Sequence, residues 1–449
     1  MFRLPRPALG HAQLRAIVLC LGAAMLSACA SAPASAPAGE PVPPERPAAA
    51  NTSAGETNAV AAAPAPTPAV TSTKAMDFQS WRAAFRARAL AEGISPAVFD
   101  AAFDGVRVRA DVLERDRFQP EFVRPIWQYL DSAVSTQRIE IGISRARSKA
   151  ALLAEIEARH NVEAEVVVAV WGLESAYGAN YGNTPVIAAL ATLAHDGRRR
   201  AFAEEQLIAA LRIIQAGDIA PERMVGSWSG AMGHTQFIPT SFLDYAVDHD
   251  GDGRRDIWAP DAADALASTA NYLAAFGWDY GAPAVHEVAL PAGFDYASAS
   301  AGPRAAADWR AVGVTLIDGR ALPAGEAVEI LLPAGAEGPA FATWPNFKVI
   351  RRYNNATSYA LAIAMLARQI DGQPGIVASW PRDDRALTRD ETREVQELLT
   401  TRGYDTRGID GIIGPDTRRA VRAFQAARGQ IPDGYVSARL LNALRDSGG

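Results

Sequence analysis

Apolar positions along this chain change spacing several times. From residue 77 the spacing is helical: Phe78, Trp81, Phe85 and Ala89 recur every three or four residues, the repeat that lines one face of an α-helix. Ser95 followed by Pro96 reads as an N-cap with proline in the first turn. Residues 137–160 predict another helix, and residues 164–176 a further one. This last segment is apolar on every side, and its Val166-Val167-Val168 run suits a strand; its length and the Gly178 stop decide for a buried helix. Between 284 and 340 the period shifts toward two. Stretches 286–290, 312–317 and 327–332, separated by Gly, Pro and Asp, predict a small β-rich insertion. Helical spacing returns over 358–370 and a loop fills 371–384. A final module over 386–446 combines helical spacing with Asp-Gly turns, predicting three short helices. The sequence shows no internal repeat.

The first 74 residues carry none of this patterning. Arg3, Arg6 and Arg15 accompany an apolar run over 16–25, and Leu26-Ser27-Ala28-Cys29 follows. About ten apolar residues are too few to span a bilayer, so residues 1–28 read as a cleavable export signal. The L-S-A-C sequence resembles the bacterial lipobox, which implies cleavage before Cys29 and lipid attachment to it. Residues 29–74 are rich in Pro, Ala, Ser and Thr and predict an extended tether that buries too little apolar surface to fold. Ala30, where an Asp would signal retention at the inner membrane, points to a lipid-anchored protein on the periplasmic face of the outer membrane.

Composition narrows the classes further. The 449 residues are 49% hydrophobic and 21% charged, with a formal charge of −6, which fits a globular chain of two or three domains. A pI near 5.7 without basic runs excludes a nucleic-acid partner. The only cysteines are Cys20, inside the signal, and Cys29. The exported protein would therefore hold no disulfide.

The candidate chemistry centres on Glu174, in Trp171-Gly-Leu-Glu174-Ser-Ala-Tyr177-Gly-Ala-Asn180. It sits at the carboxyl end of the apolar helix, where burial and the negative end of the dipole both disfavour its ionised form. A carboxyl group kept protonated is what a glycosidic oxygen requires of a general acid. A two-carboxylate glycosidase places a second acid about 5–9.5 Å away. Residues 173–182 contain no second acid, and nothing marks Asp196 or Asp218 as one. This favours a single-acid mechanism.

Further motifs follow in order: Gly226-Ser227-Trp228-Ser-Gly230-Ala-Met232-Gly233-His-Thr-Gln236-Phe237-Ile-Pro239, then Ala270-Asn271-Tyr272-Leu273, Trp344-Pro-Asn346-Phe-Lys348 and Arg352-Tyr353-Asn354. Together with the Glu174 motif, they closely resemble the B-type lytic murein transglycosylases across residues 77–370. The resemblance implies a mainly α (α+β) fold: a lysozyme-like helical catalytic core over 75–380 with the β-rich insertion at about 284–340. It implies cleavage of the β-1,4 bond between N-acetylmuramic acid and N-acetylglucosamine, with formation of 1,6-anhydromuramic acid ends. Glu174 corresponds to the family's catalytic acid. Ser227, Gln236, Tyr353 and Asn354 correspond to residues that position the muramyl sugar, and Tyr272 to an aromatic of the groove. Met232 and Phe237 read as packing. The 386–446 module resembles the bacterial peptidoglycan-binding domain, so the implied partners are peptidoglycan glycan strands and, through Cys29, the outer membrane. Complexes with cell-wall synthesis or hydrolysis enzymes suit that location.

A second candidate site is Asp248-His-Asp250-Gly-Asp252-Gly253-Arg254-Arg-Asp256. Oxygen ligands from Asp248, Asp250, Asp252 and Asp256, the Arg254 carbonyl and a glycine at position six fit an EF-hand calcium loop. Position twelve, Ala259, breaks the pattern; the family resemblance implies that Asp261 or Asp264 supplies the missing carboxylate from a longer loop, with Asp264 in the expected set for a structural Ca²⁺. Two other functions stay open at this point. A hydrolytic muramidase would use the same groove with water. A non-catalytic lipoprotein that staples membrane to wall would use the tether and module but not Glu174.

Overall fold

The computed structural model describes residues 77–117 and 124–446. The expected signal, lipidation site and tether lie outside the described residues. Among the described residues no helix is long and apolar enough to cross a membrane.

The chain is mainly helical, in the order expected. Phe78–Ala91 turns Trp81, Phe85 and Ala89 into the core, and Asp77 caps it by accepting from the Gln79 and Ser80 amides. Ser95 caps Pro96–Ala102 through the Val98 amide. The expected 137–160 helix is two helices, Thr136–Ser148 and Ala150–His160, hinged at Lys149, whose φ/ψ of −112°/20° leaves the helical region. The Lys149 ammonium bonds the Asp261 carbonyl and lies near the Trp171 ring. Tertiary contacts here override a sequence with no Gly or Pro to mark the break.

Ala164–Ser175 is the central helix, and nine of its residues are buried. It packs against Thr136–Ser148, Ala150–His160, Ala263–Ala275 and Thr357–Ile370. A helix enclosed on all sides needs no polar face, which is why its sequence shows no amphipathic period. Each buried Val or Leu there contributes roughly 1.5–3 kcal/mol.

The insertion forms a four-stranded antiparallel sheet in the order Thr315–Leu316, Val285–Ala289, Ala340–Thr343, Glu329–Leu331. Register is set by pairs such as Val285 with Thr343 and Ile330 with Ala342. Three of its strands fall in the expected stretches. The central Ala340–Thr343 strand was not expected, because all four of its residues are buried and leave no alternation to see. Trp309, Ile330, Ala342 and Trp344 belong to the insertion's own core. Glu287, buried on the Val285–Ala289 strand, accepts the Val377 and Ala378 amides and ties the following loop to the sheet.

The C-terminal module has three helices, Arg389–Thr401, Pro415–Ala427 and Ala438–Asp446, around a separate core that includes Leu387. It builds one clasp twice, a structural echo that the sequence does not advertise. Gln396 donates to Asp410 and accepts from Gly411, and Gln425 does the same with Asp433 and Gly434. The second clasp also docks the insertion: Asp433 accepts the Ala336 amide at 2.8 Å, and Arg439 pairs with Glu337 and Asp383.

Candidate active site

Glu174 lies on the last turn of the central helix and is 3% exposed. The Tyr359 hydroxyl donates to its Oε1 at 2.7 Å from the helix Thr357–Ile370. Tyr129, on Ile126–Ala133, stands close enough that the Glu174 charge adds to burial in pushing its phenol above the ordinary value. Five other buried acids are held by arginines or backbone N–H groups. Asp116 and Asp218 pair with Arg198 and Arg255, while Asp264, Glu287 and Asp384 accept backbone amides. Asp196 pairs with Arg117. Neither Asp196 nor Asp218 is left as an uncommitted partner for Glu174.

The chain reverses sharply just after Glu174. Ala176, Tyr177 and Gly178 all take left-handed conformations, with φ of 50°, 60° and 84°. Two of these are not glycine, so the reversal costs on the order of 1–3 kcal/mol per residue and must be enforced by its surroundings. The Tyr177 hydroxyl donates to the Arg138 carbonyl at 2.7 Å. Its ring lies where a Cβ on Gly172 would come within 2.5 Å, so that helical glycine is required by close approach. The Ser175 hydroxyl accepts the Gly178 amide and donates to the His234 carbonyl.

The expected groove residues divide into two groups. Ser227, half-buried, caps a tight turn by accepting the Ala231 amide and contacts Ser229. Gln236 takes a left-handed backbone with φ of 55°. Its amide nitrogen donates to the Tyr181 and Gly233 carbonyls, which leaves Oε1 to accept. Asn354 has the opposite arrangement. Its Oδ1 accepts the Ala356 amide, which leaves the NH₂ group to donate. The two tyrosines differ from the expectation of sugar contact. Tyr353 has no exposed surface and its hydroxyl donates to the Thr235 carbonyl. Tyr272 is 4% exposed and its hydroxyl donates to the Arg352 carbonyl at 2.6 Å. Buried tyrosine hydroxyls seek a partner, and here they find backbone, so these rings support the wall behind Asn354 and Gln236. Met232 and Phe237 are fully buried, as packing residues should be.

Reading the sequence missed Tyr359 and Tyr129. Tyr359 sits in a helix whose other inward positions are Ala, Leu, Ile and Met. A lone hydroxyl in such a helix signals a buried partner, but not which one.

The aspartate loop is partly as expected. Asp248, Asp250 and Asp252 bring carboxylate oxygens within 4.8 Å of one another, over turns made by Gly251 and Gly253 in left-handed conformations. Three clustered carboxylates of hard oxygen character fit a Ca²⁺ ion. The remaining expected ligands carry other contacts. Asp256 pairs with Arg223 and accepts the Trp258 amide. Asp264 is buried and uses both oxygens to accept the His249 and Asp256 amides, bracing the two ends of the loop. Arg254 donates its amide to Asp252.

Known proteins resemble this chain along most of its described length. The Transglycosylase SLT domain model matches residues 77–368, and a peptidoglycan binding domain model matches residues 388–444. The crystal structure of SltB3 from Pseudomonas aeruginosa in complex with NAG-anhNAM-pentapeptide is 50% identical, with a TM-score of 0.78 over 82% of this chain and 99% of that one. Soluble lytic transglycosylase SltB1 from the same organism is 31% identical, with a TM-score of 0.58 over 65% of this chain and 98% of its own. Membrane-bound lytic murein transglycosylase B of Escherichia coli is 34% identical over 220 residues. That alignment spans 47% of this chain and 58% of the relative. A buried glutamate at a helix end, the matched motifs around it and a near-complete match to SltB3 lead to one assignment: the chain belongs to the SLT family of B-type lytic transglycosylases and ends in a peptidoglycan binding domain.

Proposed function

We propose that the protein cleaves peptidoglycan glycan strands between N-acetylmuramic acid and N-acetylglucosamine and leaves 1,6-anhydromuramic acid ends. The observation that carries this is Glu174, buried at its helix end and oriented by Tyr359. In the first step Glu174 gives its proton to the glycosidic oxygen as the C1–O bond breaks, and the bonding pair leaves with that oxygen. In the second, the Glu174 carboxylate takes the proton of the muramyl C6 hydroxyl while O6 bonds to C1. No water is consumed, and the glutamate ends as it began. An acetamido group offers one carbonyl acceptor and one N–H donor. The Asn354 NH₂ and Gln236 Oε1 are the complementary pair, with Ser227 as a further hydroxyl. Muropeptides released from purified sacculi test this reading through their end groups.

The module supplies attachment rather than chemistry. Its core is separate from those of the catalytic region and the insertion. Removal of residues 386–449 should therefore leave turnover of short soluble glycans close to native, while less protein pellets with insoluble sacculi. Linked sites raise local concentration without altering the groove. Loss of both properties together would make the module part of the catalytic fold.

We also propose a structural Ca²⁺ in the loop of Asp248, Asp250 and Asp252. The calcium complex of E. coli Slt35, 25% identical with a TM-score of 0.56, supports it. Saturating Ca²⁺ should raise the melting temperature, since ligand at one hundred times Kd adds about 2.7 kcal/mol. Asp248→Ala should abolish that shift. A melting temperature indifferent to both Ca²⁺ and chelator would reject the site.

For location we propose lipid anchoring through Cys29 at the outer membrane, facing the periplasm. The relative named for membrane attachment and the peptidoglycan binding domain support a location at the wall. Cys29→Ser should move the protein from the membrane fraction to the soluble or unprocessed pool. An unaltered fractionation, with no acyl mass on the native protein, would contradict it.

A further inference from the structure

We infer that His234 is a positioning residue for Glu174, acting through a single hydrogen bond to Trp171 and a grip on the chain reversal that follows the catalytic helix. The inference rests on the reading of Glu174 as the catalytic acid.

His234 is 5% exposed and meets the end of the central helix at three points. The Trp171 indole N–H donates to His234 Nδ1 at 3.1 Å. The Ser175 hydroxyl donates to the His234 carbonyl at 2.5 Å. Gly178 lies flat on the imidazole, where an added Cβ would be 2.4 Å from the ring. Trp171 and Ser175 are four residues apart and share one helix face. Glu174 is bracketed between them, three residues after Trp171. The reversal at 176–178 is strained and needs external support. His234 supplies part of it, through Ser175 and Gly178.

The other side of His234 is equally fixed. Its amide donates to the Ile257 carbonyl at 3.0 Å. Because Nδ1 accepts from Trp171, the neutral ring carries its proton on Nε2. Through side chain and carbonyl on one side and amide on the other, His234 is thus a strut between the catalytic helix and the segment that closes the aspartate loop. The Trp171 bond cannot be dropped cheaply. Trp171 is 2% exposed, and its N–H would be buried without an acceptor.

Substitution can keep or remove the Trp171 bond. In His234→Asn, Oδ1 falls near the former Nδ1 and keeps the acceptor for Trp171. In His234→Gln, the longer side chain carries its amide past the Nδ1 position and offers Trp171 no acceptor there. His234→Gln is expected to lower kcat on short soluble glycans about tenfold or more with KM within about twofold, and His234→Asn to restore most of it. Trp171→Phe should lower kcat to a similar extent, and adding it to His234→Gln should cost little more, since both remove the same bond. The Trp171 indole N–H resonance offers an activity-free readout. It should be protected from solvent exchange in the native protein and in His234→Asn, and lose protection in His234→Gln. Native kcat in His234→Gln, a loss confined to KM, or an Asn variant as impaired as Gln would overturn the inference. If native protein released hydrolytic products instead, the transglycosylase reading would fail while the resonance test of the strut still stood. If His234→Gln did not fold, Trp171→Phe alone would decide, and native turnover in it would refute the role.

Discussion

Glu174→Gln should fold normally and lose turnover by about 10⁴-fold or more. General acid–base catalysis contributes roughly 10²–10⁴-fold for one proton transfer, and here the same carboxyl serves both steps. Glutamine preserves the shape and an oxygen to accept the Tyr359 hydroxyl, but has no transferable proton and no basic oxygen for the C6 hydroxyl. The melting temperature should stay within a few degrees of native, which separates lost chemistry from lost fold. Rates on short soluble glycans, with binding to sacculi as the control, provide the check. Near-native turnover would remove Glu174 from the mechanism.

Tyr359→Phe should be the next most damaging change among the residues around Glu174. A hydrogen bond to a charged group is worth about 1.5–3 kcal/mol, and each 1.36 kcal/mol is tenfold in rate. The expected loss is therefore about 10–100-fold in kcat. KM should hardly move, because Tyr359 is 5% exposed and offers a sugar little surface. The hydroxyl fixes which way the carboxyl faces as it changes from acid to base. An unchanged kcat would mean that the helix end alone orients Glu174. A rise in KM with constant kcat would place Tyr359 in substrate binding instead.

The burial of Glu174 at a helix end was legible because its cause is local. An apolar helix ending in Glu-Ser-x-Tyr-Gly announces both burial and a helix terminus within a dozen residues. The motif residues Ser227, Gln236 and Asn354 were also legible, since each occupies a turn or helix end whose backbone the motif itself specifies. What the sequence hid depends on distance. Tyr359 reaches Glu174 across 185 residues, and periodicity alone places it among the core positions of its helix. The same limit applies to Tyr353 and Tyr272. Their motif positions are recognisable, but only the fold shows their hydroxyls spent on the Thr235 and Arg352 carbonyls. Asp264 is a third instance. The family resemblance implied a ligand there, and only the fold shows its oxygens accepting two backbone amides. The break at Lys149 and the buried Ala340–Thr343 strand were invisible for related reasons, one being set by a tertiary contact and the other lacking an exposed face.

Whether one carboxyl group cuts the glycan without water is decided by the end groups of the products. Purified sacculi are digested with the native protein and, in parallel, with Glu174→Gln, and the released muropeptides are weighed by mass spectrometry. The native protein should release products that end in anhydromuramic acid, lighter by one water than hydrolysis products and resistant to borohydride reduction, and the variant almost none. Reducing-end muramic acid as the main native product would contradict it.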